Sequence, residues 1–180
     1  MCGEELIMPD SQRVMVFIDG SNFYHSLKDV RSSSKIDFQY LINKIVGVRN
    51  LIRVYYYNAP VNQSEVPEQY KRQQAFFAML KKSVDYLEIK LGKLEKREGK
   101  IVEKGVDVKL AVDMVVHAVQ DTYDTAILIS GDGDFSDAVN FVKNRGKHVE
   151  LAFPDQQCYN LKQICDKFIF LNDEYFKEVF

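Results

Sequence analysis

Four aspartates stand where this chain could do chemistry: Asp19, Asp107, Asp132 and Asp134. Asp19 closes the apolar run Val14-Met15-Val16-Phe17-Ile18, and Asp132 and Asp134 follow a second run, Ala126-Ile127-Leu128-Ile129, across Ser130-Gly131. Asp107 opens the stretch 106–120, whose apolar residues recur at helical spacing. At about 100° per residue, Leu110, Ala111, Met114 and Ala118 fall within roughly 60° of Asp107, so Asp107 heads the apolar stripe and is expected to face inward. An inward carboxylate is costly unless it is paired, hydrogen-bonded or ligating a cation. Oxygen donors with no soft ligand beside them suit Mg²⁺ or Mn²⁺ better than zinc. Each acid also has a plainer role: Asp19 as a helix cap, Asp132-Gly133-Asp134 as a capped turn, Asp107 as an acid favoured by a helix dipole. Their gathering at one sheet edge favours a shared site over three incidental roles. Asp113 differs, since the same wheel puts it with Lys109, His117 and Gln120 on the wet face, paired with Lys109 at i, i+4. Asp113→Asn is accordingly expected to cost little.

The elements that must carry these acids follow from periodicity. Short, β-branched apolar runs at 14–18 and 126–129 read as strands buried on both faces, with further strands at 51–57, 87–91, 149–153 and near 168–170. Between them lie helices at about 21–29, at 38–46 with Asp37 as its cap, from Pro67 to about 82, at 106–120, up to about 144, and near Leu161. Strands alternating with helices predict an α/β domain: a three-layer α/β/α sandwich around a mainly parallel sheet. In such sheets ligands sit beyond the carboxyl ends of the strands, near the switch point in strand order. Residues 1–12 read as a loose tail and 13–180 as one domain, with a charged hairpin near 87–104 turning at Glu98-Gly99.

Composition narrows the function classes. The 180 residues carry a net charge of −2, so no strong basic field draws the chain onto nucleic acid or membrane, and a phosphate-bearing substrate needs a local patch or metal ions. Cys2, Cys158 and Cys165 are too few for a disulfide framework or a four-ligand zinc site. No long apolar run is present, and the acidic start Met1-Cys2-Gly3-Glu4-Glu5 is unlike a signal peptide, so a reduced, cytoplasmic chain is expected. The acids at 132 and 134 begin like a calcium loop, but Lys143 stands where its bidentate Glu belongs. Neither a Walker A sequence nor G-x-G-x-x-G occurs. His25, His117 and His148 lack metal-ligand spacing, and Cys158 and Cys165 read as packing residues.

Three segments together are specific: Val16-Phe17-Ile18-Asp19-Gly20-Ser21-Asn22, then Glu103-Lys104-Gly105-Val106-Asp107-Val108, then Ile129-Ser130-Gly131-Asp132-Gly133-Asp134-Phe135. In order, spacing and strand–helix setting the chain resembles the NYN domain, in its LabA-like branch, over roughly residues 13–172. That family lies within the PIN-like nucleases. The resemblance implies a PIN-like fold and metal-dependent cleavage of RNA, with one or two Mg²⁺ or Mn²⁺ ions held by Asp19, Asp107, Asp132 and Asp134. It makes Asn22 and Ser130 polar supports, and it often places an acid where Asp113 stands, which keeps Asp113 as a secondary candidate against the wheel.

Substrate contacts rest on the six basic residues between 90 and 104, of which Lys93, Arg97 and Lys104 are the candidates, Lys104 best placed because it precedes Asp107 by three. Glutamates interleave them, so a solvated hairpin is the plainer reading. Tyr55, Tyr56 and Tyr57 offer a stacking surface for single-stranded bases, although alternate residues of a strand share a face and at least one belongs to the core. Two readings stand: a metal-dependent ribonuclease acting on single-stranded RNA, and a regulatory module of the same fold that binds RNA or a protein partner without cutting, with a homodimer left open. An aspartyl-nucleophile phosphatase fits poorly, because its Asp-x-Asp belongs straight after the first strand.

Overall fold

Asp19 owes its position to the strand before it. In the computed structural model, which describes residues 12–31, 35–97, 100–155 and 158–177, strand β1 (Arg13–Asp19) is buried along nearly its whole length. It is central because its apolar side chains are covered on both faces. The chain continues through α1 (Gly20–Arg31), α2 (Phe38–Val46), β2 (Asn50–Asn58), α3 (Pro67–Ser83) and β3 (Leu87–Leu91). A separate antiparallel ribbon follows, β4 (Lys93–Arg97) with β5 (Lys100–Lys104). Then come α4 (Val106–Val119), β6 (Thr125–Ile129), α5 (Ser136–Asn144), β7 (His148–Phe153), α6 (Tyr159–Ile164) and β8 (Lys167–Phe170).

The six-stranded sheet has the order β3-β2-β1-β6-β7-β8, and every pair in it is parallel. The chain winds outward from β1 to β3, returns across the sheet through α4, and winds the other way from β6 to β8. With right-handed crossovers this puts α1, α2 and α3 on one face and α4, α5 and α6 on the other. The tyrosines of β2 report the two layers. Tyr56 packs against Phe38 of α2 and Phe76 and Phe77 of α3, whereas Tyr55 stacks on His117 of α4. The strand order reverses between β1 and β6, which is the switch point.

The expected α/β/α sandwich is therefore present, with a sheet wholly parallel among the described strands. The strand at 87–91 joins the main sheet beside β2, so the charged ribbon begins only at Lys93. Its tip at Glu98-Gly99, the tail at 1–11 and the loop at 32–34 lie outside the described residues. Asp37 caps α2 as expected, accepting the Tyr40 N–H at 3.0 Å.

Candidate active site at the sheet switch point

The site is built where β1 and β6 end side by side. Asp19, only 4% exposed, is the last residue of β1. One carboxylate oxygen accepts the backbone N–H of Asn22 at 3.1 Å, and the other accepts the hydroxyl of buried Ser130 at 3.2 Å. Asp19 therefore does cap α1, but a cap needs no such burial. Ser130 continues β6 and relays the contact, its oxygen also accepting the N–H of Asp132 at 3.1 Å. Asp132 then accepts the N–H of Asp134 at 3.0 Å, which fixes the 3-10 turn Gly133–Phe135.

Asn22 locks the two loops together, its side-chain oxygen accepting the Gly131 N–H at 2.8 Å. Two glycines allow this closeness. A Cβ on Gly20 would lie 2.4 Å from the Tyr56 ring, and one on Gly131 2.4 Å from the Phe153 ring. The Asp-Gly-Ser-Asn and Ser-Gly-Asp sequences thus combine a carboxylate with a backbone that large side chains can cover.

The electrostatics separate these acids from ordinary surface charges. Burial first, and then the like charges of Asp107 and Asp132, push the Asp19 carboxyl up from 3.8 to about 6, against the pull of the hydrogen bonds from Asn22 and Ser130. Asp107 is also raised, by partial desolvation first and then by Asp132 and Asp134. Among the described residues none of the four acids is in an ion pair. Among the described residues the switch point gathers like charge with no paired counter-ion.

Four expectations need correction. Asp107 joins the cluster but is exposed rather than inward. The stripe it heads is buried at Leu110, Met114 and Ala118, but full burial begins only after the first turn, where Asp107 and Val108 are exposed. Asp113 is not on a wet face and does not pair with Lys109. It accepts the Tyr57 hydroxyl and the Lys90 ammonium, each at 2.8 Å, while Lys109 bonds the Leu91 carbonyl. His117, placed on the same wet face, instead stacks on Tyr55 and meets its hydroxyl at 2.9 Å. The polar row of α4 lies against β2 and β3, and solvent meets Val108, Val112, Val116 and Val119. Asp113 thus has a cationic and a hydroxyl partner, unlike the switch-point acids among the described residues. All three tyrosines at 55–57 are at least 95% buried, so none presents an open stacking face.

The basic candidates lie on the ribbon, where the register sets Lys93 opposite Lys104 and Arg97 opposite Lys100. Lys104 is ion-paired with Glu95 at 3.2 Å, Lys93 is exposed, and the Arg97 side chain lies outside the described positions. Sequence reasoning missed Ser21 and Asn58, which join α1 to the end of β2 through a 2.9 Å hydrogen bond. The parallel register contained that signal, since β2 runs beside β1 and Asn58 follows the partner of Asp19.

The donor chemistry fits a hard cation: oxygen ligands only, with a mutual repulsion that a cation would relieve. Among the described residues, however, no three acids, histidines or cysteines converge closely enough to enclose an ion. That arrangement suits an ion that keeps several waters and is completed by substrate oxygens, as Mg²⁺ does.

Comparison with known proteins agrees with this geometry. The model of the NYN domain matches residues 13–172, and the chain belongs to that family, part of the PIN-like nuclease group. Among solved structures, a protein of unknown function from Vibrio parahaemolyticus superposes with a TM-score of 0.78 at 21% identity, over 96% of this chain and 100% of that one. It shares the fold. A candidate oxidoreductase from Parabacteroides merdae aligns over 92% of this chain and 33% of its own length, with 15% identity and a TM-score of only 0.35. No curated protein matches.

Proposed function

We propose that this NYN domain, of the LabA-like branch, is a divalent-metal-dependent ribonuclease that hydrolyses single-stranded RNA at the switch point. The observation that carries the reading is Asp19, buried at the end of the central strand among like charges and held in shape by Ser130 and Asn22. Asp19, Asp107, Asp132 and Asp134 would hold one or two Mg²⁺ or Mn²⁺ ions. When bound, such an ion lowers the pKa of a coordinated water and offsets charge on a phosphoryl oxygen. The protein's own part is positional. Ser130 and the Asn22 N–H keep the Asp19 carboxylate oriented, and the Asn22 amide fixes the Gly131 loop from which Asp132 projects. Lys93, Arg97 and Lys104, on the ribbon leading into α4, would meet backbone phosphates. A single-domain organisation over 13–180 and a cytoplasmic setting belong to this reading; among the described residues no helix is long and apolar enough to cross a membrane.

The alternative is a module of the same fold that binds RNA or a protein partner without cutting. Incubation of the purified protein with labelled single-stranded and structured RNA, in Mg²⁺, Mn²⁺ or EDTA, separates the two. Cleavage that stops in EDTA and in Asp132→Asn supports the nuclease. Binding without cleavage under every condition contradicts it.

A further inference from the structure

Beside the acids, on the α1–α3 face of the sheet, lies an open groove of about 1100 Å³. It begins at Gly20 and Ser21, the two residues after Asp19, and at Asn58 on the neighbouring strand. From there it runs between α1 and α3. Pockets for drug-sized ligands span about 300–1,000 Å³, so this one has room for a stretch of chain. Its wall is preformed. Gln73 of α3 accepts the Val61 N–H at 2.9 Å and donates to the Ala59 carbonyl at 2.8 Å, which holds the β2–α3 connection open.

The lining is aromatic below and cationic at the rim. Phe76 packs edge-on against Tyr56 and Phe38, each at 5.8 Å, and forms the floor. Tyr24 of α1 stands 41% exposed with the Lys28 ammonium 4.7 Å from its ring centre. His25, Lys35 and Arg72 also line the groove, against one carboxylate, Glu68, which is already paired with Lys71 at 2.8 Å. In a chain of net charge −2, this is a locally positive, aromatic channel that begins at the two residues after Asp19.

Such a combination recognises single-stranded nucleic acid, whose bases stack on exposed rings regardless of sequence while cations track the backbone. We propose that the α1–α3 groove is the nucleobase-binding track of this protein, in which bases on one side of the phosphate that a cation at Asp19 would hold stack against Tyr24 and run past Arg72. The inference rests on the ribonuclease reading for the phosphate at the acids, but the groove's own contacts can be tested apart from cleavage. An apolar protein segment is the competing occupant. Cations on the rim, and a groove that begins at the two residues following Asp19, favour RNA.

The test is fluorescence anisotropy in Mg²⁺ with a labelled single-stranded RNA of about ten nucleotides and an abasic chain of the same length. Asp132→Asn serves as the parent so that the probe stays intact. Tyr24→Ala should weaken RNA binding about tenfold, as loss of one stacked base does. Tyr24→Phe should restore it, and Arg72→Ala should weaken it and flatten its salt dependence. The abasic chain should bind weakly and be indifferent to Tyr24. Both side chains are exposed, so near-parent melting temperatures are expected and verify folding. Unchanged RNA affinity in Tyr24→Ala and Arg72→Ala overturns the groove and leaves it to a protein segment, even if wild-type cleavage still depends on Asp132. Conversely, Tyr24-dependent binding by a wild-type protein that cuts no RNA upholds the groove and defeats the nuclease reading.

Discussion

The two ends of this sheet treat their aspartates in opposite ways. At the amino end, Asp124 receives the Arg13 guanidinium through two hydrogen bonds of 2.7 and 3.1 Å, with Lys147 close by. Asp121 is paired with Lys147 and Arg13, and Glu150 takes a two-point contact from Arg49 at 3.0 Å. The hydrogen bond from Arg13 holds the Asp124 carboxyl at about 2, and that from Lys147 lowers Asp121. At the carboxyl end, burial and like charge raise Asp19 and Asp107. One end is balanced for stability, and the other is left unbalanced where a cation and a phosphate would complete it. Helix α4 repeats the contrast within six residues, Asp113 being satisfied by Lys90 and Tyr57 while Asp107 faces only acids. Compensation by a partner separates a structural acid from a chemical one here better than burial does, because Asp107 is the more exposed of the two.

The largest expected effect lies at the unbalanced end. Asp19→Asn and Asp132→Asn should each lower RNA cleavage by about a hundredfold or more, the scale of removing one preorganised charged group from an active site. Neither should lower the EDTA melting temperature, since the change relieves repulsion. Loss of stability without loss of activity would place these acids among the structural ones.

Asp113→Ala should do the reverse. It removes the nearer ion partner of Lys90, leaving Glu88 at 3.8 Å, and strands the buried Tyr57 hydroxyl, at a cost of about 2 kcal/mol. Thermal denaturation should show this as a drop of about 5 °C, with activity per folded molecule close to wild type. An effect within about 0.5 kcal/mol, as for an ordinary surface change, would mean that Lys90 and Tyr57 need no partner.

The third contrast is in pH. A carboxyl raised from 3.8 to about 6 binds its proton more tightly folded than unfolded. Its stabilising contribution is full below about pH 4 and is lost as pH rises through about 6, a change of about 3 kcal/mol. Asp124, held at about 2, has the opposite sign: its contribution is present above about pH 4 and is lost as pH falls toward 2. In EDTA, denaturant melts of wild type and Asp19→Asn should therefore converge near pH 4 and diverge by pH 7, with the variant the more stable. Using the difference removes His117, whose pKa burial lowers. Parallel curves across that range would show that Asp19 is not strained. The smallest effect is at Ser130→Ala, about 1 kcal/mol lost at pH 7, shrinking as Asp19 protonates.

Much of this was legible in the residues. Apolar runs interrupted at regular intervals reveal strands alternating with helices, and a carboxylate directly after a buried run marks the edge where ligands bind, so Asp19 and Asp132 are visible without coordinates. Periodicity also finds the buried stripe Leu110, Met114 and Ala118. It cannot say what covers the other faces of α4. A wheel ranks residues by hydrophobicity, so it sends Lys109, Asp113 and His117 to solvent. The sheet instead offers tyrosine hydroxyls and Lys90 and leaves four valines outside. Nor does a wheel show that the buried stripe of a helix starts only after its first turn, which leaves Asp107 exposed. The α1–α3 groove depends on the spacing of two helices far apart in sequence, and no local pattern encodes it.

The central claim is that the switch-point acids form one cation-ready cluster and Asp113 lies outside it. The most direct measurement is the melting temperature of wild type, Asp107→Asn and Asp113→Asn in EDTA and in millimolar Mn²⁺. The account predicts that Mn²⁺ raises the melting temperature of wild type and of Asp113→Asn, and leaves Asp107→Asn, already as stable as wild type in EDTA, with little or no rise. A full Mn²⁺ response in Asp107→Asn together with its loss in Asp113→Asn would contradict it.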